Sequence, residues 1–214
     1  MSQWHLGCSL LPPMRYLYYS AIALALVLQA PRAEAGPPTE QLQVHVDQVI
    51  RVLDDTKLRD QPAQRHAAIR KIAENIFDYP DTARRALGPH WNGRSPEEQK
   101  EFVALFADLL DRAYLSKIDL YQGEKVRYTN EAVNGDEATV KTALITPRGT
   151  SVPVDYRMHL TNGRWLVYDV IIEGVSLVSN YRQQFNKVVV TESYPTLVQK
   201  MRAKQAEPAA SSRR

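Results

Sequence analysis

Sulfur chemistry is nearly missing from this chain. Its 214 residues include one cysteine, Cys8, close to the N-terminus. Cys8 precedes the first apolar run, whereas a lipoprotein attachment cysteine would follow one. Without it the rest of the chain has no disulfide and no thiol nucleophile, so packing alone must hold the fold. Histidine is scarce as well. His45, His66, His90 and His159 have no partner at metal-ligand spacing, and there is no H-E-x-x-H. No metal and no cofactor is expected. The chain has no G-x-S-x-G elbow, no glycine-rich phosphate loop, no heptads and no internal repeat. Its formal net charge of +3 is too small to argue for a nucleic-acid partner. These absences weigh against hydrolase, nucleotide-binding, metalloenzyme and nucleic-acid-binding classes.

What remains has the composition of one globular domain, 44% hydrophobic and 24% charged. Residues 1–35 read as a signal peptide. Arg15 supplies the positive charge, Tyr16 to Leu28 form an apolar run too short to span a bilayer comfortably, and Ala33-Glu34-Ala35 is an A-x-A cleavage site. The same pattern would also serve as an uncleaved anchor. Met14, just before the run, is the better start. A single domain over 36–205 and a disordered tail over 206–214 follow, and the protein is expected in the periplasm.

The first half of that domain has helical periodicity. Leu42, Val46, Val49, Ile50 and Leu53 share a face behind a possible Thr39 cap, and Ile69, Ile72, Ile76 and Phe77 form a second stripe. Asp81 is a candidate cap for a short helix ending at Leu87-Gly88-Pro89. Ser95-Pro96-Glu97-Glu98 is a capping box, the strongest helix start in the chain. The helix behind it, with Phe102, Leu105, Phe106, Leu109 and Leu110, is expected to lie across the sheet. The aromatics Phe77, Tyr79, Trp91, Phe102, Phe106, Tyr114 and Tyr121 either fill a closed core or leave some of their number to line a cavity.

The second half alternates with period two. Strands are expected around Val126 and Tyr128, around Ala138 to Leu144, from Val152 to Leu160, and from Trp165 to Ile172, joined by Asn134-Gly135, Pro147-Arg148-Gly149 and Asn162-Gly163 turns. In the last strand, strict alternation puts Trp165, Val167, Asp169 and Ile171 on one face and Leu166, Tyr168, Val170 and Ile172 on the other. Ser176 then caps a helix carrying Leu177, Val178, Tyr181 and Phe185, and Tyr194-Pro195 breaks it before a last short helix. The expected fold is α+β: a four-stranded curved antiparallel sheet with helices on its concave side. It resembles a nuclear-transport-factor-2-like cone enclosing an apolar pocket. Asp169, mid-strand among apolar neighbours, is either a pocket general base or a structural carboxylate paired with Arg157 or Arg182.

The stretch W-L-V-Y-D-V-I-I-E-G-V-S-L-V-S-N-Y-R-Q-Q-F, from Trp165 to Phe185, resembles the signature of the MlaC/toluene-tolerance family. Phe77-Asp78-Tyr79, Leu87-Gly88 with Trp91, Ser95-Pro96-Glu97-Glu98-Gln99 with Phe102, Tyr121-x-Gly123 and Val154-Asp155-Tyr156 extend the likeness in order over Thr39 to Met201. Thr191 to Pro195 departs from it where many members carry a glycine-bearing turn. The resemblance implies a carrier rather than an enzyme. It would hold diacyl phospholipid by its tails and shuttle lipid between an outer-membrane lipoprotein complex and an inner-membrane ABC transporter with its substrate-binding membrane subunit. On that reading the pocket lining is Phe102, Phe106, Tyr114, Tyr121, Val154, Tyr156, Trp165, Val167, Val175 and Leu177. The alternatives are a hopanoid or other apolar cargo, an adaptor that carries nothing, and a pocket enzyme using Asp169.

Overall fold

The computed structural model describes residues 37–118 and 120–206. Cys8, the expected signal peptide with its expected cut after Ala35, the expected Met14 start and the expected tail beyond 206 lie outside the described residues. The chain opens with α1 (Pro37–Asp54), α2 (Thr56–Arg59), α3 (Pro62–Ile76) and α4 (Tyr79–Leu87), then a 3-10 turn (Gly88–His90) and α5 (Pro96–Ile118). The strands β1 (Lys125–Asn134), β2 (Glu137–Ile145), β3 (Ser151–Thr161), β4 (Arg164–Ile172) and β5 (Val175–Ser176) follow, and α6 (Leu177–Thr191) and α7 (Tyr194–Ala206) close the domain.

Local chemistry sets most of these boundaries. The capping box at α5 forms in both directions: the Ser95 amide donates to Glu98 Oε2 at 2.8 Å, and the Glu98 amide to Ser95 Oγ at 3.3 Å. Two expected caps move. Asp78, not Asp81, caps α4, accepting from the Asp81 amide at 2.9 Å, because Pro80 already suits the helix's first turn. Thr39 lies inside α1 rather than at its cap. Near the C-terminus, Ser193 Oγ accepts from the Thr196 amide at 3.2 Å. Tyr194 and Pro195 therefore begin α7, where proline's missing N–H costs nothing.

The sheet is antiparallel with strands in chain order, β1-β2-β3-β4-β5. It has five strands rather than four. Glu173 and Gly174 take left-handed φ values of 51° and 82°, and the chain turns back so that Val175 and Ser176 pair with Ile172 and Ile171. Two residues are too few to show alternation, so the sequence pattern did not reveal this strand. The β4 edge is also covered near Val167, whose carbonyl accepts from the Asp78 amide at 2.8 Å.

Strict alternation fails in β4. Arg157 pairs with Asp169 and Met158 with Val167, which leaves Tyr168 as an extra, bulged residue. A bulge advances the side-chain parity by one. Val170 and Ile172 therefore join Trp165 and Val167 over one apolar cluster, and Asp169 leaves that face.

Two separate cores result. One is helical: Ala83, Ala86 and Leu87 of α4 pack with Phe102, Leu105 and Phe106 of α5, Phe185 of α6, and Tyr194, Leu197, Val198 and Met201 of α7. The other lies on the sheet's inner face, where Ala138, Val140, Met158, Trp165, Val167 and Val170 meet Leu42 of α1 and Ile76 of α3. The expectation for α5 is corrected here. Its apolar face is spent on α4 and α7, and it does not lie across the strands.

Candidate functional site

Rows of paired residues run across the inner face of the sheet, and their burial is graded. At the end nearest the Asn162-Gly163 turn, Val133, Ala138, Met158 and Val167 form one row and Trp165 stands beyond it, all buried except Val133 on the edge strand, which is 52% exposed. In the next row Val140 and Val170 are buried while Tyr156 and, on the edge strand, Glu131 are half-exposed. One row on, Thr142 is buried but Tyr128, Val154 and Ile172 are half-exposed. In the last row Val126, Leu144 and Val152 are all half-exposed. The apolar face thus opens towards the β2–β3 hairpin and the Glu173-Gly174 turn. Two large apolar side chains stand out at that end: Leu120, 66% exposed just before β1, and Val175, 57% exposed just after β4.

Helix α1 sets the gradient. Its first turns are pinned at the closed end, where the Thr39 amide donates to Glu131 Oε2 at 2.8 Å and Gln41 Oε1 accepts from the Trp165 amide at 3.0 Å. Leu42 and Val46 then cover the sheet. Helical spacing keeps Val49, Ile50 and Leu53 on the same side as far as the open end, all half-buried. A shallow cavity of about 360 Å³ opens on the opposite side of α1, lined by Gln48, Arg51, Val52, Asp55, Leu58 and Ile72. Arg51 and Asp55 make its lining mixed, and the sheet contributes nothing to it. The open half of the sheet's inner face carries apolar side chains and phenols in place of such charges.

The ten residues assigned from the sequence fall in different places. Val154, Tyr156 and Leu177 lie in the open half of the inner face, and Val175 at its end. Trp165 and Val167 lie in the closed half. Phe102 and Phe106 sit in the other core, with Phe106 ring centroids 5.1 Å from Tyr181 and 5.3 Å from Phe185. Tyr114 is half-buried on α5, beside Tyr181 on the helical side, and Tyr121 half-buried before β1, beside Asp54 at the end of α1. The sequence reading did not assign Tyr128, Leu144, Val152, Ile172 or Val46 to the cleft. Alternation identified their faces, but not which end of the sheet α1 leaves open.

Burial also sets the phenol chemistry. It pushes the Tyr156 hydroxyl up to about 12 and raises that of Tyr128, where Tyr156 and Asp47 add to the effect. Both phenols stay protonated at any physiological pH.

Asp169 has its oxygens engaged elsewhere. Oδ2 accepts from Ser176 Oγ at 2.6 Å and more weakly from Arg157 at 3.4 Å, and Oδ1 accepts from the Val178 amide at 3.0 Å. Ser176 Oγ also accepts from the Ser179 amide at 3.0 Å, so the carboxylate and the serine together hold the first turn of α6. Arg182, the other partner considered for Asp169, donates to the Arg85 carbonyl instead. A second polar cluster ties α4 to the outer face of the sheet. His159 lies 2.9 Å from Asp78 Oδ2, and Arg85 stacks 3.8 Å above the Tyr168 ring while bonding Asp81. Both clusters are internally satisfied networks that orient elements. Among the described residues no group of three or more potential ligands is placed to hold a metal.

Comparison with known proteins agrees with this architecture. The family model described as "MlaC protein" matches residues 43–203. The intermembrane phospholipid transport system binding protein MlaC of Haemophilus influenzae is 21% identical over 160 residues, spanning 72% of this chain and 75% of that one. A solved phospholipid-binding protein from Ralstonia solanacearum, in complex with a phospholipid, superposes with a TM-score of 0.73 at 25% identity, covering 80% of this chain and 98% of its own. The match over most of the domain, on the α+β fold just described, places this chain in the MlaC family.

Proposed function

We propose that the protein is a periplasmic lipid carrier that holds phospholipid acyl chains against the open half of the sheet's inner face. It would pass lipid between an outer-membrane lipoprotein complex and an inner-membrane ABC transporter. The observation that carries this reading is the graded inner face: half-exposed apolar side chains from four strands and α1 continue a dry core to an open end. Membership of the MlaC family, together with likeness to a phospholipid-bound structure, supports the cargo. Lining is assigned to Val154, Tyr156 and Leu177, with Val175, Tyr114 and Tyr121 towards the rim and Trp165 and Val167 as the floor. Phe102 and Phe106 act on this site only through the helical core that supports it.

The energetics explain why shape matters more than greasiness. A sixteen-carbon chain in water costs about 12 kcal/mol, at about 0.8 kcal/mol per methylene, but a bilayer already removes that cost. An apolar cleft only matches the membrane, and loading must come from close contact around the chain. The head group would remain solvated and weakly discriminated.

Native mass spectrometry of the purified protein, with identification of extracted lipid, tests the proposal. A one- or two-phospholipid adduct supports it, and a hopanoid adduct would keep the carrier but change the cargo. A bare mass that persists after incubation with liposomes would refute it.

A further inference from the structure

We infer that Tyr128 selects ester-linked cargo, its phenol donating a hydrogen bond to an ester carbonyl oxygen of the bound lipid. The inference rests on the carrier reading and deepens it. Tyr128 stands on β1 opposite Thr142, in the row where the cleft begins to open. Its ring is half-buried, yet its hydroxyl oxygen is fully buried and has no hydrogen-bond partner among the described residues. Thr142, opposite it, turns its hydroxyl to the Val154 carbonyl at 2.6 Å and makes no hydrogen bond with the Tyr128 oxygen. A buried hydroxyl in apolar surroundings needs an acceptor. Burial and the nearby Tyr156 and Asp47 keep the phenol protonated, hence a donor.

The surroundings narrow the class of acceptor. Acyl chains and fused hydrocarbon rings offer none. A phosphate offers several, but the Asp47 carboxylate on α1 repels an anion at this point. A neutral carbonyl oxygen suits both conditions, and in a diacyl lipid it lies where the chains join the glycerol. Tyr128 would then separate ester lipids from apolar cargo that the walls alone accept equally well.

The test offers the purified protein vesicles containing equal amounts of a diester phosphatidylglycerol and its dialkyl ether analogue of the same chain length. Bound lipid is extracted and the ratio measured by mass spectrometry. The wild type should be enriched about three- to tenfold in the diester lipid, the worth of one neutral hydrogen bond. Tyr128→Phe, which keeps the ring and whose fold is checked by thermal melting, should bring the ratio to one, and Tyr181→Phe, in the helical core, should leave an ester preference. Equal loading by the wild type overturns the inference while leaving the carrier reading intact. So does a preference that survives Tyr128→Phe or disappears with Tyr181→Phe. Failure to load either lipid removes the carrier reading and this assignment together.

Discussion

Replacing Asp169 with asparagine separates a structural carboxylate from a chemical one. The side chain is 3% exposed and accepts two short hydrogen bonds, from Ser176 Oγ and the Val178 amide, besides the longer one from Arg157. An asparagine of the same size has one carbonyl oxygen, so its NH₂ must face a donor. One charge-assisted hydrogen bond is lost, worth about 1.5–3 kcal/mol, and a buried donor is left without a partner. The expected cost is about 3 kcal/mol. In a domain of this size that lowers the melting temperature by roughly 6–12 °C. Ser176→Ala should cost about 1 kcal/mol through the lost cap. Because Ser176 bonds both Asp169 and the Ser179 amide, the double variant should cost at least about 0.5 kcal/mol less than the sum of the two. Thermal and urea unfolding of the four proteins supplies the cycle. If Asp169→Asn melted within about 1 °C of wild type, or if the two costs simply added, the latch would be refuted and Asp169 would return as a candidate base.

Other perturbations discriminate the two cores and the turns. Phe106→Ala, in the helical core against Tyr181 and Phe185, should cost about 3–5 kcal/mol in urea unfolding, whereas Val175→Glu at the exposed end should change stability by no more than about 0.5 kcal/mol. Gly174→Ala should cost about 1 kcal/mol, all of it backbone, since φ is 82° and nothing lies within 4 Å of the added methyl. Alkali supplies a pH test. Tyr156 ionises at about 12 in the fold against 10 for a free phenol, so stability is fully present below pH 10 and falls as pH rises from 10 towards 12. Phenolate absorbance should therefore appear late in native protein and jump on unfolding. A titration midpoint near 10 in the native state would contradict the burial.

The parts of the fold written in short-range chemistry were legible. The Ser95–Glu98 box, the Ser176 cap, the two Asn-Gly turns and the alternation of β2 and β3 all occur where residue type predicts them. Features decided by tertiary contact were not. No local signal marks Tyr168 as the bulged residue, and one extra residue reassigned Asp169, Val170 and Ile172 to new faces. Phe102 and Phe106 carry the same apolar signal whether they line a cleft or fill a core. Only the packing of α4, α6 and α7 around α5 shows which. The cleft was legible as a set of faces and illegible as an opening, because exposure along a strand depends on where α1 is pinned.

The division into two cores has a mechanical consequence. A protein with one continuous core can admit bulky cargo only by loosening everything at once. Here the aromatic cluster among α4 to α7 shares no buried residue with the cluster under α1 and α3. Strain introduced along the sheet would then meet an independently packed helical core, and α1, held at its first turns and half-buried beyond them, is the element expected to yield. Amides in the second half of α1 should exchange with solvent far sooner than those around Phe102. On the carrier reading, sequence drift along that half of the helix would reshape what is carried while the frame keeps its stability.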